Sequence, residues 1–377
     1  MSGKTGRIKI KKRSGFDFSL LFIMIFLLCF GFVMIYSTTS YSAQASGYES
    51  AYYLKKQVIA AVIGIVLMTV ITRMDYRLLN SKAASWVLYG AALLLVFLVL
   101  SPFGREYNGA RRWLSLGGFS FQPAEVVKIA VIVLTAHLCS KHIRYLNRTG
   151  NVVRVFCAGL IAGGLVTVIT NNLSTGIIII GISFIMLFIA DPNWKEFIIA
   201  GVAAAGAVTL YLVLGDGFRS ERLLAWLHPE DYSSDTAYQV LQGLYAIGSG
   251  GFFGKGLGES VQKLGSVPEA ENDMIFTIIC EELGIICGIA VILMFGFMIW
   301  RICLVAKRAP DVFGTMLSVG VAAHIALQVL INIAVVTNSI PNTGATLPFI
   351  SYGGSSVMIL LAEMGLVFSV SRSASPD

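Results

Sequence analysis

The sequence predicts an all-α polytopic membrane protein, with about ten transmembrane helices and one large extracellular loop between the seventh and the eighth. Three observations predict it. Of the 377 residues, 56% are hydrophobic and only 13% charged, with mean hydropathy +0.77, whereas soluble domains carry about 25% charged residues. Apolar segments recur at 18–34, 58–71, 84–100, 126–138, 155–169, 177–190, 197–214, 274–300, 312–336 and 350–370. A spanning helix needs about 20 residues, so the shorter segments must draw on their polar flanks. With the N-terminus placed inside, 18 of the 28 Lys and Arg fall in the inner connections and tails. That bias is the positive-inside signature.

The same numbers narrow the function classes. A net charge of +7 suits anionic membrane lipids at least as well as nucleic acid, and no nucleic-acid-reading motif accompanies it. The six cysteines lie in or beside apolar runs with no CxxC pair, which fits small buried residues rather than a redox or zinc centre. The four histidines are scattered, so they mark no metal site.

Residues 1–15 form a basic tail with Lys4, Arg7, Lys9, Lys11, Lys12 and Arg13, expected on the cytoplasmic side. The first apolar run exceeds the roughly 7–15 residues of a signal-peptide core. It is therefore read as an uncleaved span, although Ala43-Gln44-Ala45 resembles a cleavage site. Residues 16–371 read as a single transmembrane domain and 372–377 as a short cytoplasmic tail. Ten spans put both termini on one side of the membrane.

Three outer regions interrupt the apolar pattern. The first runs from Gly104 to Lys128, with Arg105, Arg111 and Arg112. The second, about 215–273, is the longest loop; it carries Arg219, Arg222, Lys255, Lys263 and a glycine-rich run from Gly248 to Gly258. The third is Pro341 to Ser356. The glycine-rich run follows no strand and lies in no βαβ unit, so it reads as a turn needing backbone freedom, not as a dinucleotide fingerprint. The Ser351-Tyr-Gly-Gly-Ser-Ser356 run lacks the order of a serine-nucleophile motif and suits close helix packing.

Acids at the outer rim are the strongest chemical signal. Glu269, Glu271 and Asp273 are spaced two apart, just before a long apolar helix that carries Glu281 and Glu282. They fit either an acidic helix start or a base at a membrane surface. Glu125 and Lys128 are three apart and can pair on one helix face; inside lipid such charges face a cavity or a partner. Glu363 lies deep in the last span with no evident partner in sequence. The basic residues of the outer regions would suit a diphosphate if they converge, because guanidinium forks match phosphate oxygens.

The motifs Asn108-Gly-Ala-Arg-Arg-Trp-Leu114, Gln122-Pro-Ala-Glu125 with Lys128, and Gly256-Leu-Gly-Glu-Ser-Val-Gln-Lys-Leu264 resemble those of the SEDS family (FtsW, RodA, SpoVE). So do Pro268-Glu-Ala270 with Asp273 and Leu347-Pro-Phe-Ile-Ser-Tyr-Gly-Gly-Ser-Ser356. The likeness runs from the first span to the last and is nearest the FtsW and SpoVE branch. Two departures stand out. Asn171-Asn-Leu173 replaces a family Pro-Asp-Leu, and Thr343 stands where FtsW often has Lys.

The resemblance implies a peptidoglycan glycosyltransferase that polymerises lipid II at the outer face of the bacterial cytoplasmic membrane, alongside a class B penicillin-binding transpeptidase. It places the family's essential aspartate on Asp273, its Pro-Glu glutamate on Glu269, and its membrane pair on Glu125 and Lys128. Asp273 is then the general base, Glu269 supports the loop, and Arg111, Arg112, Arg222, Lys128 and Lys263 are diphosphate or headgroup candidates. The family's α-linked donor and β-linked product imply inversion, with undecaprenyl diphosphate leaving. No cofactor is implied; a divalent cation is compatible with the chemistry, and no ligand cluster marks a site for one. A lipid II flippase and a non-catalytic division scaffold are the competing readings. Against the first, no inverted repeat is visible; the second leaves the charges around one loop without a purpose.

Overall fold

The computed structural model describes residues 15–107, 110–116, 119–142, 149–191, 206, 226 and 235–374. Within them lie α1 (Phe18–Ala45), α2 (Tyr52–Arg73), α3 (Lys82–Leu98), α4 (Pro123–His142), α5 (Thr149–Thr170) and α6 (Leu173–Ala190). They are followed by α7 (Asp235–Gly250), α8 (Ile275–Arg308), α9 (Val312–Val336) and α10 (Gly354–Ser373). Eight of these helices are long and apolar enough to cross a membrane, and α3 is a shorter apolar helix. These nine coincide with nine of the ten apolar segments. The segment 197–214, residue 206 apart, lies outside the described residues, as do Arg219 and Arg222.

The helices differ in what surrounds them. In the most apolar window of each, 83% of α10, 78% of α4 and 67% of α9 is buried, against 28% for α2 and for α8. So α4, α9 and α10 form the inside of the bundle. Large apolar side chains such as Phe22, Val87, Val168 and Leu293 are more than 65% exposed, as a surface solvated by lipid requires. Chains this apolar bury polar residues where helices meet, and the three inner helices carry Glu125, Lys128, His324, Gln328, Asn332 and Glu363, all buried.

Small residues set how closely the helices meet. A Cβ at Gly64 on α2 would lie 2.6 Å from Leu361 Cδ1 of α10, and one at Gly365 on α10 would lie 2.9 Å from the Met68 carbonyl oxygen of α2. The two helices thus approach through reciprocal glycines, the arrangement that strengthens packing where no hydrophobic drive exists between helices.

Before α4 the chain forms a small antiparallel sheet of β1 (Gly104–Tyr107), β2 (Ala110–Leu116) and β3 (Phe119–Phe121). The sheet is an addition to the all-α fold that the sequence predicts. Gly104 pairs with Leu114 and Leu114 with Phe121, with a bulge between Arg105 and Glu106. Leu114 is buried. Arg112, two residues before it on β2, reaches the C-terminus of α5, where its guanidinium donates to the carbonyls of Thr170 (3.2 Å) and Asn171 (2.9 Å).

The helix α8 is broken at Gly284 (φ 82°, ψ 168°), and the glycine-rich turn after α7 completes it. Lys255 and Gly256 N–H donate to the carbonyls of Glu281 and Glu282, both at 2.9 Å, while Ile285 N–H donates to Gly251 O at 3.0 Å. The break therefore leaves these backbone groups paired, as irregular backbone near a bilayer must be. Gly251, Gly254, Gly256 and Gly258 all have positive φ, which is the freedom the sequence pattern asks for.

Candidate active site

Asp273 ends the turn that leads into α8 and is 7% exposed. Three elements hold it. Asn332 on α9 donates to its main-chain carbonyl at 2.7 Å and to that of Ala345 at 2.8 Å. Gln239 on α7 donates to its Oδ1 at 3.4 Å and to the Pro268 carbonyl at 3.2 Å. Asn342 in turn donates to Gln239 Oε1 at 2.8 Å. At Gly344 (φ +70°) a Cβ would lie 3.7 Å from Asp273 Oδ2, so the segment 341–353 walls the carboxylate.

That segment is stitched to the acidic turn. Tyr352 N–H donates to the Glu271 carbonyl at 2.8 Å, and Ser351 Oγ to the Asn272 carbonyl at 2.6 Å. From α2, Gln57 donates to Ser351 O at 3.2 Å and accepts from Gly353 N–H at 3.1 Å. Glu269 adopts left-handed backbone (φ 54°), a conformation that costs a non-glycine residue free energy and concentrates at functional sites. Its carbonyl accepts from Asn272 N–H at 3.0 Å, and its carboxylate accepts from the Asn272 side chain. Glu269 thus shapes the turn and also places a negative charge near Asp273.

Burial, with the neighbouring charges of Glu269 and Glu271, pushes the Asp273 carboxyl up to about 7, against the opposing pull of backbone and Gln239 hydrogen bonds. Burial and the Glu269 charge also raise Glu271. A carboxylate whose pKa lies near the working pH is suited to accept a proton during reaction.

The cationic candidates separate. Lys128, 2% exposed, pairs with Glu125 at 2.9 Å and approaches Gln328 Oε1 at 3.4 Å. Gln328 donates to the Thr346 carbonyl at 3.0 Å, so Lys128 reaches the wall of the Asp273 site through one side chain. Arg112 binds the α5–α6 turn, where Ser174 donates to the Thr343 carbonyl of the same wall. Arg111 is exposed and lies 3.8 Å from Glu106. Lys263 is not a free cation. Its Nζ bonds Glu282 at 2.6 Å, Gly258 O at 2.7 Å and Ser37 Oγ at 3.0 Å. Lys255 is likewise paired with Glu281 at 2.7 Å. These two lysines pair with buried carboxylates at the break in α8, as Lys128 pairs with Glu125 on α4. Arg222 lies outside the described residues.

Glu363 does have a partner: His324 Nδ1 lies 2.7 Å from its Oε2. The sequence reasoning also passed over Gln328 and Asn332. Their signal was present, since His324, Gln328 and Asn332 recur every four residues and so form one polar stripe on a spanning helix. Among the described residues, no group of three or more His, Cys, Asp or Glu side chains is placed to hold a metal ion, so no step is derived through one.

The family model for FtsW, RodA and SpoVE, described as "Cell cycle protein", matches residues 18–376. Stage V sporulation protein E of Bacillus subtilis is 37% identical over 366 residues, covering 96% of this chain and 98% of that one. A probable peptidoglycan glycosyltransferase FtsW of Trichlorobacter lovleyi is 36% identical, covering 94% and 93%. Among solved structures, the rod shape determining protein RodA of Thermus thermophilus matches with TM-score 0.70 and 26% identity over 96% of this chain and 98% of that one. A chain from work on polymerization and crosslinking by a peptidoglycan synthase complex matches with TM-score 0.78 and 26% identity, covering 95% and 98%.

Proposed function

The chain belongs to the FtsW, RodA and SpoVE family, and from that premise we propose that it is a peptidoglycan glycosyltransferase polymerising lipid II at the outer face of the cytoplasmic membrane. The observation that carries the reading is Asp273: one nearly buried carboxylate, raised to about 7, fixed by Asn332 and Gln239 at the end of an outer loop.

The reaction needs a sugar hydroxyl of the acceptor to attack the anomeric carbon of the donor. The hydroxyl proton passes to Asp273 as the new C–O bond forms. The bond from the anomeric carbon to the lipid diphosphate breaks, and its electron pair leaves with the diphosphate. One displacement inverts the α-linked donor to a β-linked product with no sugar–enzyme intermediate. Base catalysis typically contributes about 10²–10⁴-fold, and cations near the leaving diphosphate stabilise its developing charge. Lys128 and Arg112 are the first candidates for that role because both connect to the wall of the Asp273 site, with Arg111 and Arg222 next. Glu269 shapes the turn, Glu125 holds Lys128, and Lys263 is assigned to holding the turn at Glu282.

A class B penicillin-binding transpeptidase is the proposed partner, consistent with the peptidoglycan synthase complex among the similar structures. Both termini are placed in the cytoplasm on the basis of the charge bias. The test is polymerisation of purified lipid II supplied in detergent, with the transpeptidase present and glycan length read by gel. Glycan strands from the parental protein and none from Asp273→Asn support the reading. Absence of polymer from well-folded parental protein with its partner overturns it, and leaves passage of lipid II across vesicles as the activity to measure.

A further inference from the structure

The inner helices carry a chain of polar contacts of which the proposed reaction uses only Lys128 and its partner Glu125. Glu125 and Lys128 lie on α4, His324 and Gln328 on α9, and Glu363 on α10. All five are at most 6% exposed, and His324 and Glu363 are at 0%. The contacts run from Glu125 Oε1 to Lys128 Nζ (2.9 Å), Lys128 Nζ to Gln328 Oε1 (3.4 Å), Gln328 Oε1 to His324 Nε2 (2.8 Å), and His324 Nδ1 to Glu363 Oε2 (2.7 Å).

Hydrogen-bond accounting fixes where the protons are. Gln328 cannot be turned over. Its amide nitrogen faces the Thr346 carbonyl at 3.0 Å, which only accepts, and its oxygen faces the Lys128 ammonium, which only donates. His324 Nε2 therefore meets an acceptor and must carry a hydrogen. The other ring nitrogen faces a carboxyl oxygen at 2.7 Å, so one further proton lies between Nδ1 and Glu363. Whether it sits on the ring or on the carboxyl, the pair carries no net charge. The same holds for Lys128 with Glu125. Four titratable groups thus stand inside the bundle without a net charge, which is how such groups are tolerated there.

We infer that His324, held by Glu363, is a positioning residue for Lys128: its Nε2–H fixes the Gln328 oxygen toward Lys128 Nζ while the Gln328 amide holds Thr346 in the wall of the Asp273 site. The inference rests on Lys128 serving the lipid diphosphate. Position on a spanning helix gives the device its rigidity. His324 and Gln328 are one turn apart, as are Gln328 and Asn332, and Asn332 grips Asp273 itself. One face of α9 therefore sets both the base and the cation.

The test separates positioning from folding by measuring thermal stability without substrate, and KM and kcat with purified lipid II. His324→Leu strands Glu363 and should lower the melting temperature and raise KM. The double variant His324→Leu/Glu363→Leu removes the stranded carboxyl, so stability should return while KM stays raised by about fivefold or more, the loss of one charge-linked hydrogen bond. Glu363→Gln keeps a donor for Nδ1 and leaves Nε2–H facing Gln328, so it should rescue KM to within about twofold of the parent. Recovery of KM together with stability in the double variant overturns the inference, as does a Glu363→Gln KM no better than that of Glu363→Leu. Failure of the parental protein itself to polymerise lipid II would instead remove the functional reading, and the stability arm would still report on the pair.

Discussion

The side-chain amide of Asn332 spans the main-chain carbonyls of Asp273 and Ala345, at 2.7 and 2.8 Å. One donor group from the most regular kind of element thereby aligns two irregular segments, the acidic turn and the 341–353 wall. The Asp273 carboxylate is left to its own contacts with Gln239 and is not consumed in holding the backbone. This division of labour makes the carboxylate separable from the fold, and the first prediction uses it.

Asp273→Asn should nearly abolish glycan polymerisation, by about 10²-fold or more, while expression, melting temperature and partner binding survive. Glu271→Gln, whose main-chain carbonyl rather than its carboxylate holds Tyr352, should matter far less. Glycan length by gel checks both variants. Near-normal polymer from folded Asp273→Asn protein would sink the assignment of the base.

The pH dependence follows from the raised Asp273 carboxyl, at about 7. A base works only when deprotonated, so kcat/KM should rise with pH through a limb centred near 7 and fall away in acid. Linkage gives the opposite trend for stability. The folded state holds this proton up to about pH 7, whereas an unfolded aspartate releases it near about 3.9. Asp273 therefore favours folding most below the unfolded value, and that contribution is lost as pH rises through about 7. Asp273→Asn should flatten both profiles, measured as initial rates and as melting temperatures between pH 5 and pH 9.

Lys128→Ala should destabilise the protein by about 3–5 kcal/mol, because it strands the Glu125 carboxylate in the interior. The double change Glu125→Ala/Lys128→Ala should cost less than Lys128→Ala alone. Thermal unfolding in one detergent checks this, and simple addition of the two single losses would mean that the pair is not coupled.

Gly284→Ala should cost more than about 2 kcal/mol, since its left-handed backbone is strained for any residue with a Cβ. The added carbon would also lie 2.2 Å from the Phe252 carbonyl oxygen. Gly296→Ala, on the same helix with nothing within 4 Å, should stay within about 1 kcal/mol of the parent. Equal effects would mean that the break in α8 is not what Gly284 provides.

Reporter fusions after Arg154 and after Lys307 should read cytoplasmic, and one near Ser234 external. An external signal at Lys307 would refute the charge-based layout and put Asp273 on the wrong face for outer-surface sugar chemistry.

Much of this was legible in the sequence, for reasons that can be traced to particular residues. Spans announce themselves by apolar length alone, so nine helices fell where the segments lay. Glu125 and Lys128 paired because three residues along a helix is a contact distance. Glu363 was different: its partner is 39 residues away on α9, and no local rule links two helices that meet only in the packed bundle. The partner of Lys263 is hidden from the sequence for a related reason. Lys263 sits 19 residues from Glu282, and only the break at Gly284 folds the turn back so that the two charges meet. The sheet of β1 to β3 escaped notice because strands of three to seven residues carry too little alternation to stand out beside long apolar runs.

The placement of α10 has a consequence for biosynthesis. The ribosome makes it after the other nine described helices, yet of the eight long apolar helices it is the most enclosed, with 83% of its most apolar stretch inside the bundle. Until it emerges, His324 has no Glu363, and Gly64 of α2 has no Leu361 to pack against. Until then the buried polar residues of α9 lack that partner, and the bundle can be completed only after the last helix has been made. A ribosome stalled before residue 354 should leave a chain that membrane quality-control proteases recognise, even though nearly all of its spans are in place.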